Sequence, residues 1–334
     1  MDPDEVFKQG ITKTKAVGNA TGENLSRTFG LISGKSPKQP RVVEFTVCIP
    51  AMFKFGNAAQ LVEKLEMLRI LGAGRVVLYK TSVQPNVEAV LKLYTGDWSA
   101  GRETMETVVR SWRPPPAELH YRGQLAAVDD CLHRYGWLSH YVAFDDLDEL
   151  MIPLQHANWS ALIAERERVH PGKAAFMFRC SVMNGDHSSP ARGFRDDALR
   201  YGSSVLSLTQ RDAYVFLPSI RSKVIVNPRK VDTMAVHSVF KGSGVTDVIP
   251  VEQGLLYHYR WRPIRLCEPE VKDDRVAAMF GERLTLRLRY VWSRLKGVEL
   301  GWQHPLERTD GIRWSCFRKA KEQKRRKTDK QNTA

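Results

Sequence analysis

Short apolar segments that alternate with helical patterns constrain the fold of this chain more than any other feature. VVEFTVCIP is typical of a first strand, which Pro50 is expected to stop, and RVVLYK and ETVVRSW are typical of the second and third strands. A fourth apolar segment, SHYVAF, runs directly into the acidic residues DDLDE. Strands alternating with helices of this length predict an α/β fold with a parallel sheet covered on both faces. Ligands of such sheets bind at the carboxyl ends of the strands, where DDLDE lies.

The helical segments carry their own start and stop signals. Asn57 can cap a helix with an apolar stripe, and Gly72 can end it. A shorter helix is predicted at NVEAVLKLY, and another runs from about Glu118 to Tyr135 into the fourth strand. The stripe of the first helix consists of Leu61, Leu65, Leu68 and Leu71.

The second half of the chain is less regular. Strands are predicted at KAAFMFRC, RSKVIV, MAVHSV and LLYHYR, and a long amphipathic helix from about Asp273 to Leu295. We expect a flexible polar leader over 1–40, one folded domain over 41–303 and a basic, disordered tail over 304–334. The 43% of hydrophobic residues and 26% of charged residues are ordinary for a globular protein and exclude a wholly disordered chain.

The formal charge of +14 suggests nucleic-acid binding until it is mapped along the chain. Nine basic residues against two acidic ones between Arg313 and Lys330 contribute half of that excess. A run such as KAKEQKRRKTDK can be a nuclear signal or an electrostatic patch, but it lacks interleaved aromatic residues. A charged tail is the commoner structure, so no nucleic-acid partner is expected.

The cysteines and the chain start bear on the compartment. Five cysteines lie far apart without CxxC pairing, which makes zinc-finger and thioredoxin-like sites unexpected and leaves the disulfide pairing open. Acceptor triplets for N-glycosylation begin at Asn19, Asn24 and Asn158, and chance explains each of them readily. The chain as given contains no signal-peptide pattern and no membrane-spanning apolar stretch, so it is expected to be soluble or to have lost an anchor.

Four carboxylates follow the fourth strand within five positions: Asp145, Asp146, Asp148 and Glu149. Carboxylates this close repel one another, which favours either a bound cation or Arg and Lys partners. In an extended segment Asp146 and Asp148 would share a face and could hold Mn²⁺ or Mg²⁺. The alternative is a charged turn after a core strand, and this motif alone does not decide between the two.

The acidic segment, VAFDDLDELMIP, resembles the aspartate-rich strand of glycosyltransferase family 92, with its F-x-D-x-D-E-hydrophobic pattern. CIPAMF followed by LVEKLEMLRILGAGRVVLY resembles the opening of the family domain, and GQLAAVDDCLHRY its helix before the metal strand. RSKVIVNPRKVDTMAVHSV and LYHYR are similar to its two downstream His-containing segments. These five blocks stand in the family's order between Val47 and Arg260.

The resemblance implies a GT-A-like, Rossmann-like mixed sheet covered by helices on both faces. It also implies a metal-dependent, inverting galactosyltransferase that uses UDP-galactose, Mn²⁺ or Mg²⁺ and a glycan acceptor. Family members are typically anchored in the Golgi membrane with a lumenal domain. We therefore expect a lumenal Golgi domain, with membrane association only through an anchor that the given chain lacks.

In this interpretation Asp146 and Asp148 hold the metal, and Asp148 is the better direct ligand. A late histidine supplies the third ligand, His258 before His237, although a lone histidine on an apolar strand is often a core residue. The base that takes the acceptor proton is Glu149 or Asp186, and the sequence does not choose between them.

The nucleotide sugar is expected to contact residues from several segments. Lys223 and Arg260 could bring positive charge to the diphosphate, or they could lie on a solvated face. Tyr79 could stack on the base, although a core position is the safer expectation. Gln124 and Asp130 could approach the nucleotide from their helix, or that helix face could point to water. A catalytically inactive family member that binds glycans or proteins is the alternative function.

Overall fold

The computed structural model describes residues 42–96, 105–113, 123–185, 188–260 and 269–301. The predicted leader (1–40) and tail (304–334), the first residues of the predicted helix at 118 and the candidate base Asp186 lie outside these ranges. The strands are β1 Val43–Met52, β2 Arg75–Lys80, β3 Glu106–Ser111, β4 Ser139–Phe144, β5 Glu149–Pro153, β6 Ala175–Phe178, β7 Cys180–Asn184, β8 Gln210–Asp212, β9 Lys223–Val226, β10 Val231–Met234, β11 Val239–Gly242, β12 Thr246–Val248, β13 Gly254–Arg260 and β14 Glu270–Lys272. The helices are α1 Ala58–Leu71, α2 Pro85–Thr95, α3 Gln124–Tyr135, α4 Trp159–Val169, α5 Arg195–Tyr201, α6 Ser204–Ser207 and α7 Arg275–Arg294, with a 3₁₀ turn at Gly136–Leu138.

The larger sheet has seven strands in the order β12-β6-β9-β4-β1-β2-β3. Strand β1 is parallel to β2 and β4, and β2 is parallel to β3, as the alternating pattern predicts. Strand β9 runs antiparallel to both β4 and β6, so the prediction of a wholly parallel sheet is wrong. The chain reaches β9 directly from β8, which belongs to the second sheet, so no helical crossover from a parallel neighbour sets its direction. The α/β fold with a mixed sheet is thereby confirmed.

A second sheet of five strands has the order β14-β8-β7-β13-β5. Strand β13 is antiparallel to β5 and parallel to β7, which places His258 opposite Glu149. Strands β10 and β11 form a separate hairpin. The chain passes from the larger sheet to the second one between β4 and β5, where the acidic residues lie.

Helices cover both faces of the larger sheet, as predicted. Alternate residues of β1 point to opposite faces, so Val47 packs in one core cluster and Cys48 in another. Helices α1, α2, α4 and α7 contribute to the first cluster, and α3 contributes to the second. Each sheet face therefore has its own hydrophobic core.

The helix signals are confirmed where the structure describes them. The Asn57 side chain accepts a hydrogen bond from the amide of Gln60 at 2.9 Å, and Gly72 ends α1 with a φ of +105°, which glycine adopts without strain. Asn158 caps α4 in the same way through the amide of Ala161. In the described residues no helix is both long enough and apolar enough to span a membrane.

Two strand predictions need correction. Strand β1 continues through Pro50 to Met52, with an irregular register between Ile49 and Met52, because a proline without an N–H is tolerated where the ladder is interrupted. The segment MAVHSV is not one strand, because the chain turns between β10 and β11 and His237 lies in that turn.

A disulfide bond joins Cys48 of β1 to Cys131 of α3, 83 residues apart in sequence. Cys180 is a buried free thiol, while Cys267 and Cys316 lie outside the described residues. The bond fastens the helix on one face of the larger sheet to a central strand.

Candidate functional site

The acidic residues form a turn between the two sheets. The amide of Asp145 donates to the carbonyl of Cys48 at 3.2 Å, and the amide of Glu149 donates to the carbonyl of Asp146 at 3.3 Å. The chain turns at Leu147 and Asp148, so the expectation of an extended conformation for Asp146 to Asp148 is wrong. We call residues 145–149 the acidic turn.

Each of the first three carboxylates of the acidic turn contacts a basic side chain, which is a lysine for Asp145 and Asp146 and a histidine for Asp148. Lys64 of α1 pairs with Asp145 and also donates to the carbonyl of Glu149. The ammonium of Lys223 lies 2.7 Å from Asp146 Oδ2. His258 Nε2 lies 3.1 Å from Asp148 Oδ2. Of the two ways to relieve repulsion among these carboxylates, the described residues supply lysine partners for Asp145 and Asp146.

The fourth carboxylate, Glu149, is enclosed by the site. Its side chain is 3% exposed and lies 3.4 Å from Lys223 Nζ through Oε2 and 3.4 Å from His258 Nδ1 through Oε1. Burial holds the pKa of Glu149 well above its usual range although the charge of Lys223 opposes this. Among the described residues, Glu149 Oε2 and His258 Nδ1 make no hydrogen bond.

His258 Nε2 faces two groups whose demands conflict. Arg260 Nε donates to Nε2 at 2.9 Å, which requires a lone pair on that nitrogen. Asp148 Oδ2, 3.1 Å from the same nitrogen, requires a proton on it. One ring nitrogen cannot meet both demands, so one of these two contacts lacks its hydrogen.

A metal ion fits this donor set with two protein ligands. A cation between Asp148 and His258 would bind the carboxylate and the lone pair of Nε2, and Nδ1–H would then face Glu149 Oε1. Metal-bound histidines commonly donate their other ring N–H to a carboxylate in this manner. Within the described ranges no three His, Cys, Asp or Glu side chains converge as a complete ligand set, so other ligands would have to come from substrate or water.

The electrostatics of the two neighbouring aspartates differ. Burial raises the pKa of Asp145 to about 6, although Lys64 opposes this effect. Burial also acts on Asp148, but the hydrogen bond and charge of His258 and the charge of Arg260 outweigh it and lower the pKa of Asp148. Asp148 is therefore the carboxylate that stays ionised and faces the histidine.

The second predicted histidine, His237, lies near Lys223 and not on a strand. Its Nδ1 lies 3.3 Å from the carbonyl oxygen of Ser222. Burial and the charge of Lys223 lower its pKa, which favours the neutral imidazole. His237 is thus placed beside the Lys223–Asp146 pair, while His258 contacts Asp148.

A second polar group lies at the carboxyl end of β2. The hydroxyl of Tyr79 donates to Asp130 Oδ2 at 2.6 Å, and Arg134 Nη2 donates to Asp130 Oδ1 at 2.6 Å. The ring of Tyr79 is fully buried against Trp112, so the expectation that it stacks on a base is wrong, and the core position holds. Gln124 is half-buried at the start of α3, six residues before Asp130.

The disulfide connects these two polar groups. Cys131 follows Asp130 on α3, and the carbonyl of its partner Cys48 accepts the amide of Asp145. Sequence spacing did not predict this link, because five separated cysteines allow many pairings.

Lys64 is a site residue that the sequence analysis missed. It is 2% exposed, although lysine is almost never fully buried without a partner. Its position three residues after Leu61 and four before Leu68 puts it on the apolar face of α1, and that spacing was the available signal.

The chain matches the family model described as glycosyltransferase family 92 over residues 43–275. It is 30% identical over 137 residues to the glycosyltransferase family 92 protein F13G3.3 of Caenorhabditis elegans, covering 40% of this chain and 27% of that protein. It is 28% identical over 116 residues to the β-1,4-galactosyltransferase galt-1 of the same organism, covering 33% of this chain and 26% of that one. The chain thus spans about a quarter of the length of these curated relatives.

Similarity to solved structures is weak. Glucosyl-3-phosphoglycerate synthase from Mycobacterium tuberculosis, in complex with Mn²⁺, UDP and glucosyl-3-phosphoglycerate, aligns with a TM-score of 0.29 and 12% identity over 78% of this chain and 81% of that one. TarS of S. aureus aligns with a TM-score of 0.25 and 11% identity over 43% of this chain and 21% of that one. Likenesses at this level are too weak to support a functional assignment.

Proposed function

Because the chain belongs to glycosyltransferase family 92, we propose that it transfers a sugar from a UDP-sugar to a glycan acceptor in a metal-dependent reaction. Galactose is the proposed sugar, since one relative is named a β-1,4-galactosyltransferase, and inversion is the proposed stereochemistry. The observation that carries the proposal is the pair of conflicting contacts at His258 Nε2. A cation shared with Asp148 would take the Nε2 lone pair in place of the Arg260 N–H, and Arg260 would then donate to the diphosphate.

Asp148 and His258 are the proposed protein ligands of Mn²⁺ or Mg²⁺, with Asp146 beside them on the same turn. When bound, the ion would neutralise negative charge on the departing diphosphate as a Lewis acid. Lys223 and Arg260 reach the same turn and bring two further positive charges to it. These side chains bind and orient the diphosphate through charge-assisted hydrogen bonds.

The proposed role of Glu149 is to position His258. Its carboxylate is enclosed between Lys223 and His258 and faces no open surface where an acceptor hydroxyl could approach. Glu149 Oε1 instead lies 3.4 Å from Nδ1, where it can accept a hydrogen bond from Nδ1–H and so favour the tautomer that leaves a lone pair on Nε2. Asp186 remains the proposed base, as a prediction from the sequence.

The nucleotide is proposed to extend from the acidic turn towards the end of β2. Asp130 and Gln124 border that region on α3, and the Cys48–Cys131 bond keeps this helix next to the acidic turn. A disulfide between two core cysteines also suits an oxidising compartment, which supports a lumenal Golgi location.

Calorimetric titration of UDP into the chain tests the donor site without an acceptor. We expect binding with Mn²⁺ that disappears with a chelator and in Asp148→Ala. Lys272→Ala, which removes an exposed lysine paired with Asp274, is a control that should bind as wild type does. UDP binding that survives both the chelator and Asp148→Ala would refute the metal site.

A non-catalytic glycan- or protein-binding member is the second candidate. One observation favours it: Lys64 and Lys223 already pair with Asp145 and Asp146 in the described residues, so these two carboxylates do not require a metal for stability. A well-folded wild type that binds no UDP with Mn²⁺ would support this candidate over the first.

A further inference from the structure

The loop between β8 and β9, residues 213–222, leads into β9, whose first residue, Lys223, contacts the acidic turn. It ends at Ser222, next to Lys223, whose ammonium contacts Asp146. The carbonyl of Ser222 also lies 3.3 Å from His237 Nδ1. A molecule lying on this loop would therefore border the proposed donor site.

The base of this loop is fixed to the second sheet. The amide of Phe216 donates to the carbonyl of Cys180 at 2.9 Å, and Arg179 Nε donates to the carbonyl of Phe216 at 2.8 Å. The Phe216 ring is buried, and the guanidinium of Arg221 lies over it at 5.4 Å. These contacts give the loop a defined shape.

The backbone of the loop is held in an unfavourable conformation. Ser219 has a φ of +66° and Arg221 a φ of +53°, in the left-handed region that residues other than glycine rarely adopt. Such residues cost free energy, and they concentrate at ligand-binding and active sites.

Three large apolar side chains of this loop are exposed to water. Tyr214 is 39% exposed, Leu217 57% and Ile220 49%. The Tyr214 ring packs edge-on against Phe216 with 5.1 Å between centroids, so its orientation is set from below. The loop that precedes Lys223 thus presents three exposed apolar side chains, one of them an aromatic ring of fixed orientation, with Arg221 on the same loop.

We propose that Tyr214, Leu217 and Ile220 bind the glycan acceptor; this proposal rests on the proposed function. A sugar ring has an apolar face of C–H groups and a rim of hydroxyls. An exposed tyrosine matches both, because its ring packs against the apolar face and its hydroxyl bonds to the rim. The absence of charge on these three side chains suits a neutral sugar, and the strained backbone keeps the surface formed before the acceptor arrives.

Saturation-transfer NMR on the full chain, with UDP and Mn²⁺ present, tests this surface. The probes are methyl β-galactoside, methyl β-glucoside and methyl 2-acetamido-2-deoxy-β-glucoside. We expect saturation to reach at least one of them and to fall about fivefold or more in Tyr214→Ala and in the Leu217→Ser/Ile220→Ser double variant. Leu286→Ser, which changes an exposed leucine on α7, is the matched control and should behave as wild type does.

Three results would overturn the proposal. The first is that wild type transfers saturation to none of the probes. The second is that wild type and the loop variants transfer it equally. The third is that the loop variants sediment differently from wild type while saturation transfer is unchanged. The last result would identify a contact between proteins. UDP titration of the same samples reports the donor site separately: wild type that binds UDP but none of the glycosides refutes only the acceptor surface.

Discussion

Tyr257 and His258 are neighbours on β13, and their side chains contact two carboxylates, Asp273 and Asp148, whose hydrogen bonding differs. The Tyr257 hydroxyl donates to Asp273 Oδ2 at 2.9 Å, while His258 Nε2 lies 3.1 Å from Asp148 Oδ2. Adjacent residues of a strand point to opposite faces, so a single strand serves both groups. The comparison distinguishes Asp273, whose contacts stabilise the fold, from Asp148, which is the proposed metal ligand.

The Asp273 group is saturated with donors. Arg211 Nε lies 2.7 Å from Oδ2, and Arg275 donates to both oxygens at 2.8 and 2.6 Å. Burial alone would raise the pKa of Asp273, but the hydrogen bonds from Arg275 and Arg211 outweigh it and lower the pKa to about 2. Each oxygen of the Asp273 carboxylate thus accepts hydrogen bonds from arginine, so this carboxylate has no oxygen without a donor.

The His258 side has contacts that its own hydrogens cannot satisfy. Nε2 faces both a donor and an acceptor, and Glu149 Oε2 is buried without a hydrogen bond among the described residues. Buried polar groups are normally paired, and the proposed cation would pair those on the His258 side. The two carboxylates thus differ in how fully their neighbouring groups are hydrogen-bonded, while both lie beside basic side chains.

The largest expected effect is on the His258 side. Asp148→Ala should reduce the hydrolysis of UDP-galactose without acceptor by about 10²–10³-fold. The reason is that it removes a proposed ligand of the ion that stabilises negative charge on the departing diphosphate in the transition state. Asp273→Asn, measured at a temperature where it is folded, should stay within about threefold of wild type, since Asp273 touches no proposed substrate. Equal losses in the two variants would contradict the distinction between the two sides of β13.

The second largest expected effect is on the free energy of unfolding and comes from changing Asp273, the carboxylate that Tyr257 contacts. Asp273→Ala should lower the free energy of unfolding by about 3–5 kcal/mol, because it leaves Arg211 and Arg275 without their shared carboxylate. Urea unfolding measures this change, and Asp148→Ala should cost less than Asp273→Ala in the same experiment. A larger loss in Asp148→Ala would reverse the assignment of the structural carboxylate.

The pH dependence of unfolding sharpens the same test. A carboxylate whose pKa falls from 3.8 to about 2 on folding contributes about 2 kcal/mol. This contribution is present above pH 3.8 and is lost as the pH falls towards 2. Asp273→Asn should therefore flatten the acid limb of the stability profile, and an unchanged acid limb would contradict the lowered pKa.

The smallest expected loss of stability comes from removing one hydrogen bond to Asp273 while its ion pairs remain. Tyr257→Phe should cost about 1 kcal/mol in urea unfolding, because Asp273 keeps both arginines and loses only the hydroxyl. UDP binding should be unchanged. Loss of UDP binding in Tyr257→Phe would show that the two sides of β13 are coupled.

Local signals in the sequence predicted the elements well. Asn57 and Gly72 bound α1 through backbone geometry that depends only on adjacent residues, and α7 lies within two residues of its predicted ends. The antiparallel entry of β9 could not be predicted, because strand direction depends on where the chain returns to the sheet and not on the pattern within the strand.

The candidate site was predicted in its residue types and missed in its pairings. The acidic turn and His258 were both identified, but the partnership of Lys64 with Asp145 joins residues 81 positions apart. Tyr79 was a candidate to stack on a base because it ends a strand, but Trp112 of another segment packs against it and the core position holds. Both differences depend on contacts between segments that are far apart in the chain, and a single sequence does not record such contacts directly.

The Cys48–Cys131 bond can form only after both cysteines have been synthesised. The two cysteines are 83 residues apart, so at typical translation rates Cys48 is made roughly 4–17 s before its partner. During this interval Cys48 is an unpaired thiol, open to mixed disulfides with any other thiol that it meets. The chain must therefore either keep β1 shielded until α3 arrives or depend on thiol–disulfide exchange to correct early errors.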